Sequence, residues 1–179
     1  HPALHNGIVW DDDYQIFENR FIHAPDGLRH FWLTTSASDY YPLNSTVHWI
    51  EWRLWGDDPL GYHAVNIALH AGSALVLWRV LARLALPAPF AAAALFAVHP
   101  VTVATVAWIS ELKNVLSLLL VAISLLAYLR FEDDGRRRWY VTALVTFALA
   151  LLAKTSVVML PALLLLLAWY RRSRVATAD

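Results

Sequence analysis

The sequence predicts an all-α polytopic membrane protein, and three observations carry that prediction. Of the 179 residues, 59% are hydrophobic and 16% charged, with a mean hydropathy of +0.47. A soluble domain carries roughly a quarter charged residues and under half apolar ones. The charges are also unevenly placed, so that long windows beyond residue 62 contain none. Arginines gather at 79–83, 130–138 and 171–174, where the ends of apolar hairpins would lie on one side of a bilayer.

Other classes are disfavoured on composition. A formal net charge of zero gives no electrostatic footprint for nucleic acid. With no cysteine, disulfides and thiolate metal sites are excluded. No Gly-x-Ser-x-Gly elbow and no phosphate-cradling glycine loop occurs, which argues against a soluble-type hydrolase or nucleotide-binding enzyme. The chain opens on His1-Pro2 and closes just after Arg171, Arg172 and Arg174, which reads as a piece of a longer protein.

Residues 1–61 form a polar, aromatic segment, read as an extracytoplasmic loop. Its turn signals are Pro25, Asp26-Gly27, Pro42, Asp57-Asp58-Pro59 and Gly61. A short helix is expected over 45–55, with Val47, Ile50 and Leu54 on one face. Trp49, Trp52, Trp55 and Arg53 are residue types of a membrane–water boundary. Two readings fit them: a helix lying on the membrane surface, or ordinary packing against the bundle.

Residues 62–179 are expected to hold five membrane-spanning helices, at about 62–84, 89–109, 114–131, 139–153 and 156–171. The first is closed by Leu86-Pro87-Ala88-Pro89. The apolar stretch 89–131 is too long for one crossing, so it reads as a hairpin with Ser110-Glu111-Leu112-Lys113-Asn114 at its tip. His99-Pro100 should kink or break its first arm. The last two helices form a second hairpin with Lys154-Thr155-Ser156 at the tip.

The arginine clusters place the chain's end in the cytoplasm and residues 1–61 with both hairpin tips outside. Asp11-Asp12-Asp13, His63, His99, Glu111, Lys113 and Lys154 then gather at one extracytoplasmic face. Ionisable groups at a membrane edge are costly and mark candidate sites. Paired carboxylates beside a low-dielectric surface suit a general base acting on a hydroxyl. Lysines, with Arg53, would neutralise a phosphate. Taken singly, each feature also has a plain reading. Asp11-Asp12-Asp13 reads as a solvated acidic turn, Lys154 as a snorkelling lysine, and Glu111 with Lys113 as a solvated tip.

Eight histidines raise the question of a metal. His63 and His70 share a helix face with Asn66, but helical metal pairs more often stand four apart. No metal ligand is assigned, and a divalent metal is not indicated. An ion transporter is disfavoured because the ionisable residues form no relay through the helices.

The order of motifs resembles the membrane portion of the transmembrane-and-tetratricopeptide-repeat proteins, a GT-C-type glycosyltransferase group with bacterial relatives. Trp10-Asp11-Asp12 followed by Ile16 and Asn19 is similar to the family's acidic element in its first extracytoplasmic loop. Tyr41-Pro42-Leu43 resembles its Tyr-Arg-Pro-Leu element with the Arg missing, Tyr40 or Tyr41 standing in its place. The run from Trp55 through Tyr62-His63-Ala64-Val65-Asn66 to His70-Ala71 resembles the entry to its second membrane helix. Further matches are Phe96-Ala97-Val98-His99-Pro100, then Val106-Ala107-Trp108-Ile109-Ser110-Glu111-Leu112-Lys113-Asn114. Leu152-Ala153-Lys154 with Pro161 follows. The likeness covers nearly the whole chain.

The resemblance implies a GT-C-like helical bundle whose extracytoplasmic loop carries short interfacial helices. It implies a membrane helix before residue 1 and further helices and tetratricopeptide repeats after residue 179. The implied activity is transfer of a sugar, of mannose type, from a polyprenyl- or dolichyl-phosphate donor to a protein Ser or Thr hydroxyl, with inversion. Asp11 and Asp12 would be catalytic. Lys154, Lys113, Arg53, Glu111, His99 and His63 would hold the substrate or lipid phosphate. The lipid-linked sugar takes the place of a soluble cofactor, and the partners are membrane lipid, an acceptor protein and further subunits. A bacterial inner membrane is the expected location. Two positions depart from the family pattern: Ala104 where a Glu is common, and Asn114 where Glu-Arg-Lys-Asp ends in Asp. The alternative reading is therefore a non-catalytic membrane subunit or scaffold that keeps the fold.

Overall fold

The computed structural model describes residues 11–36 and 39–176. His1-Pro2 and Trp10 lie outside the described residues. The described part is all-α, without a strand. Its helices are α1 (Arg20–His23), α2 (Gly27–Leu33), α3 (Pro42–Trp55), α4 (Pro59–Arg83), α5 (Pro89–Val98), α6 (Val103–Ala107), α7 (Leu112–Asp134), α8 (Arg137–Ala153) and α9 (Leu160–Ala176). A π-helical turn, Asp13–Phe17, precedes α1. Single 3-10 turns at Pro100–Thr102, Ile109–Glu111 and Thr155–Met159 lead into α6, α7 and α9.

Local chemistry sets most of these boundaries. Pro42, Pro59 and Pro89 each sit in the first turn of a helix, where a missing N–H costs nothing. Asp58 caps α4 by accepting from the Leu60 N–H at 3.0 Å. Asn19 does the same for α1, accepting from Phe21 N–H at 3.0 Å while donating to Gln15 O at 3.1 Å. Gly135 closes α7 at a φ of 64°, a left-handed geometry that glycine adopts without penalty.

Among the described residues, two helices are long and apolar enough to cross a membrane, Pro59–Arg83 and the continuous Ile109–Asp134. The pair α5–α6 qualifies as one broken span, bent by 48° where His99-Pro100 interrupts it. The Pro ring removes a ladder hydrogen bond there, as the sequence suggested. α8 is 17 residues long, and Thr155–Trp169 is a shorter apolar stretch. With this membrane composition, the chain is an all-α membrane protein.

α7 packs chiefly along α8 and then α4, and α4 also carries α5. The two ends of this bundle differ in chemistry. At one end, Arg171 donates to Glu132 Oε2 at 2.8 Å and to Asp133 Oδ1 at 2.7 Å, and Arg83 pairs with the same Asp133. These pairs draw the last turns of α4, α7 and α9 together, uniting three arginine-bearing segments that are far apart in sequence.

At the other end, the polar N-terminal segment folds over the bundle. Ile16, Ile22, Phe31, Tyr62 and Ile109 form one buried cluster, with Trp49, Trp52 and Trp55 packed on it. Helix α3 begins at Pro42 rather than Ser45. Its apolar face is turned outward. Ile50 and Leu54 are 46% and 65% exposed, while Asn44, His48 and Glu51 are buried. The buried polar residues satisfy one another in part, and the Trp side chains supply the apolar contact that the helical period assigned elsewhere.

Two glycines are required by close approach. A Cβ at Gly27 would stand 1.9 Å from Phe21 O, and one at Gly61 would stand 2.1 Å from the Trp55 ring. Gly27→Ala and Gly61→Ala should therefore each destabilise the fold by about 1–3 kcal/mol, since neither neighbour is a free side-chain end. Thermal unfolding in detergent checks this, and a melting temperature equal to wild type in both variants would refute the packing described.

Candidate functional site

The site grows from the N-terminal polar segment and the two helical hairpin tips. Asp11 and Asp12 begin a helical turn that passes into the π turn Asp13–Phe17. Ile16, fully buried against Tyr62 and Ile109, pins that turn to α4 and to the start of α7. With Ile16 inward, Asp12 is fully buried and Asp11 and Asp13 are exposed. The three adjacent carboxylates thus occupy different environments.

Asp12 Oδ1 accepts a 2.8 Å hydrogen bond from the backbone N–H of Ser110. Ser110 lies in the first turn of the Ile109–Asp134 helix, where backbone N–H groups have no partner within the helix. A carboxylate supplied from elsewhere in the chain caps that end and meets the positive end of the helix dipole. Directly after Ser110, Glu111 accepts from the Asn114 side-chain amide one turn on. Asn114 Oδ1 in turn accepts from the Lys154 ammonium at the end of α8. Asp12, Ser110, Glu111, Asn114 and Lys154 therefore form one contiguous polar chain from the first loop through both hairpin tips.

The remaining expected site residues are placed differently. Lys113 is half-buried beside this chain but makes none of its hydrogen bonds. His63 is buried in α4. His99 is exposed and caps the Pro100–Thr102 turn, accepting from Val101 N–H at 3.2 Å. It borders an apolar cavity of about 550 Å³ between α4 and the α5–α6 break, lined by Ala64, Ile67, Ala68, Val103 and Val106. Arg53 has a structural task. It donates to Ile22 O, Trp49 O and Ala24 O at 3.1, 2.9 and 2.7 Å, and stacks 3.2 Å from the Trp49 ring centroid. Ile22 and Ala24 are the end of α1 and its exit, and Trp49 lies one turn back in α3 itself, so the guanidinium is committed to the backbone. Ala104 is exposed on α6.

Sequence reasoning missed Ser110, whose contribution is a backbone N–H and carries no side-chain signal. It passed over Asn114 as a site residue, although the three-residue spacing from Glu111 places both on one helix face. His70 serves the scaffold, its Nε2 donating to Ala97 O at 3.1 Å. Among the described residues, no group of three or more His, Asp or Glu side chains is placed to hold a metal ion.

Comparison with known proteins settles the family. The family model described as dolichyl-phosphate-mannose-protein mannosyltransferase matches residues 42–178. The chain belongs to that family. Human protein O-mannosyl-transferase TMTC1 is 33% identical to this mannosyltransferase-family chain, over 74% of the chain and 17% of the human protein. A protein O-mannosyl-transferase of Caenorhabditis elegans is 29% identical over 73% of the chain and 21% of its own length. The Drosophila melanogaster protein O-mannosyl-transferase Tmtc3 is 31% identical over 82% and 20%. The chain thus spans about a fifth of the length of these curated relatives. No solved structure matches it.

The two carboxylates of this family member should separate by stability. Asp12→Ala leaves the buried Ser110 N–H unpaired and should cost about 1–3 kcal/mol. Asp11→Ala, at an exposed position, should change stability by less than about 0.5 kcal/mol. Chemical or thermal unfolding of both variants in detergent measures the difference, and equal losses would refute the distinct placement.

Proposed function

We propose that this chain is the catalytic membrane portion of a protein O-mannosyltransferase. It moves a mannose-type sugar from a polyprenyl- or dolichyl-phosphate donor to a Ser or Thr hydroxyl of a protein, on the extracytoplasmic side. One observation carries the reading: an exposed carboxylate, Asp11, adjoins a buried one that is tied to the hairpin tip bearing Glu111 and Asn114, where Lys154 of the other tip is hydrogen-bonded. A base and an ammonium on one membrane edge are what transfer from a lipid phosphate needs.

In this mechanism the acceptor oxygen attacks the anomeric carbon as the bond from that carbon to the phosphate oxygen breaks. Asp11 takes the hydroxyl proton, and the leaving lipid phosphate carries away the bonding electrons. Lys154 faces the phosphate charge and Lys113 adds to the positive field. Attack opposite the leaving group inverts the sugar carbon. Asp12 fixes the Asp11 backbone through Ser110 rather than taking the proton itself. Glu111 and Asn114 orient Lys154. The apolar cavity below His99 accommodates part of the prenyl chain, and His63 supports the same helix face from within.

The topology follows from the same reading. The ion-paired end with Arg83, Arg171 and the 130–138 loop faces the cytoplasm, by the excess of basic residues. The Asp11 end faces outward, with five crossings between residues 59 and 176 and the membrane of residence the bacterial inner membrane. Acceptor protein and lipid are the partners.

The test is transfer of mannose from a lipid-phosphate donor to an acceptor peptide by the full-length protein. Asp11→Asn should lower kcat at least about a hundredfold, the scale of a lost general base. Lys154→Ala should chiefly raise the donor KM. Unchanged turnover in Asp11→Asn combined with Asp12→Asn would overturn the catalytic assignment, and an inactive wild type would favour the scaffold reading.

A further inference from the structure

A buried polar cluster lies in residues that the transfer mechanism leaves unused. On the inward face of α3, His48 Nδ1 and Glu51 Oε2 are 2.8 Å apart, and both side chains are almost wholly buried. Donation of the Nδ1 proton to the carboxylate leaves a lone pair on Nε2. Among the described residues, that Nε2 has no hydrogen-bond partner. One turn earlier, Asn44 is 5% exposed and its Oδ1 has no partner either. Two stranded acceptors on one buried helix face require an explanation.

Both residues line a pocket of about 30 Å³. A water needs roughly 10–15 Å³ by the same measure, so there is room for one small occupant and little more. That occupant has to satisfy two lone pairs at once. Three features point to a cation. Asn44 and His48 stand four residues apart on one helix, the spacing at which two helical side chains share a metal ion. Glu51 holds the Nδ1 of His48 as carboxylates hold metal-bound imidazoles, which fixes the tautomer and frees Nε2 for the ion. Asp39 lines the same pocket at its exposed rim, so Asp39 and Glu51 together bring two negative charges to the site.

We propose that His48 Nε2, Asn44 Oδ1, the Asp39 carboxylate and the Gln15 amide oxygen form a binding site for a divalent cation of the zinc class. Gln15 lines the pocket from the turn that follows Asp11 and Asp12. One imidazole nitrogen with three oxygens suits a four-coordinate first-row ion. Calcium and magnesium, which favour oxygen ligands alone, are disfavoured. Two of the four ligands are amide carbonyls, which carry no charge, and Asp39 with Glu51 balances the ion. Its role is structural: it ties the 13–17 turn and the residues before Pro42 to α3. Asp11 does not line the pocket, and the inference is independent of the mannosyl-transfer reading.

The experiment measures Zn²⁺ binding to the full-length, untagged protein in detergent after chelation with EDTA, by equilibrium dialysis with metal analysis and by calorimetric titration. Wild type should take up one equivalent at this site, and its melting temperature should rise with zinc. Glu51→Gln keeps the shape of the side chain but removes the charge behind the imidazole. It should weaken that equivalent about 10–100-fold. Asp39→Asn, at an exposed position, should weaken it at least as much while leaving the melting temperature of the zinc-free protein unchanged. This second variant separates loss of the ion from loss of the fold. A wild type that takes up no zinc equivalent with a rise in melting temperature overturns the proposal, and the pocket then holds a water donating to both acceptors. A zinc equivalent that either variant binds with wild-type affinity overturns it as well.

Discussion

The hydrogen bond from Ser110 N–H to Asp12 is the constraint on which the candidate site depends. It joins positions 98 apart in sequence, so it fixes how the first polar segment sits on the membrane helices. Its strength comes from where it is made. The donor is one of the unpaired amides at the start of a long helix, and the acceptor is fully buried. An ionised carboxylate in such a place is tolerable only when hydrogen-bonded, and the amide is equally costly to strand. Each group therefore holds the other in place. Asp11 inherits its position from that tie, since one peptide unit separates it from Asp12.

The same accounting governs the bundle. In a low-dielectric surrounding, each polar side chain on a helix needs a partner supplied from within the protein. Asn66 donates to Trp108 O at 2.7 Å and Ser124 to Ala143 O at 2.8 Å. These bonds join α4 to the α6–α7 break and α7 to α8. The Asn66 bond ends two residues before Ser110, so the backbone that caps on Asp12 is itself held from the α4 side. The arginine–carboxylate pairs at the far end clamp α4, α7 and α9 where water is available and charge is cheap. A bundle tied at both ends presents its site on a rigid support.

Much of this architecture was legible in the sequence because membrane composition is a strong signal. The apolar runs pass through α4, α7 and α8, and His99-Pro100 marks the break between α5 and α6. The polar segment was less legible. Ile50 and Leu54 show a helical period, but the period names an apolar face and not its direction. Outward apolar residues belong naturally at a membrane edge, while the inward face is filled by Trp side chains and the buried His48–Glu51 pair. In the sequence Arg53 shows a cation available for a phosphate, because a side chain's commitment is not visible there. Its commitment is to Trp49 O one turn back and to the Ile22 and Ala24 carbonyls, which only the fold brings near. In sequence Asp11 and Asp12 form a pair, and the burial of Ile16, four residues after Asp12, is what sets them apart.

Asn114 stands where the resemblance implies an acidic residue, and its neighbours explain how an amide serves there. It relays a hydrogen bond from Lys154 to Glu111, donating with its amide and accepting with its carbonyl. A carboxylate in its place would accept from Lys154 but could not donate to Glu111. Two like charges one helical turn apart would then face each other beside a single ammonium. The amide keeps the trio at one negative and one positive charge, and Lys113 adjoins it with a further positive charge. Repulsion of an incoming phosphate is thereby reduced, and two Lys154 protons stay available once one is given to Asn114. The neutral residue at this position is thus compatible with anion binding, and so the loss of a family carboxylate here does not by itself argue for an inert scaffold.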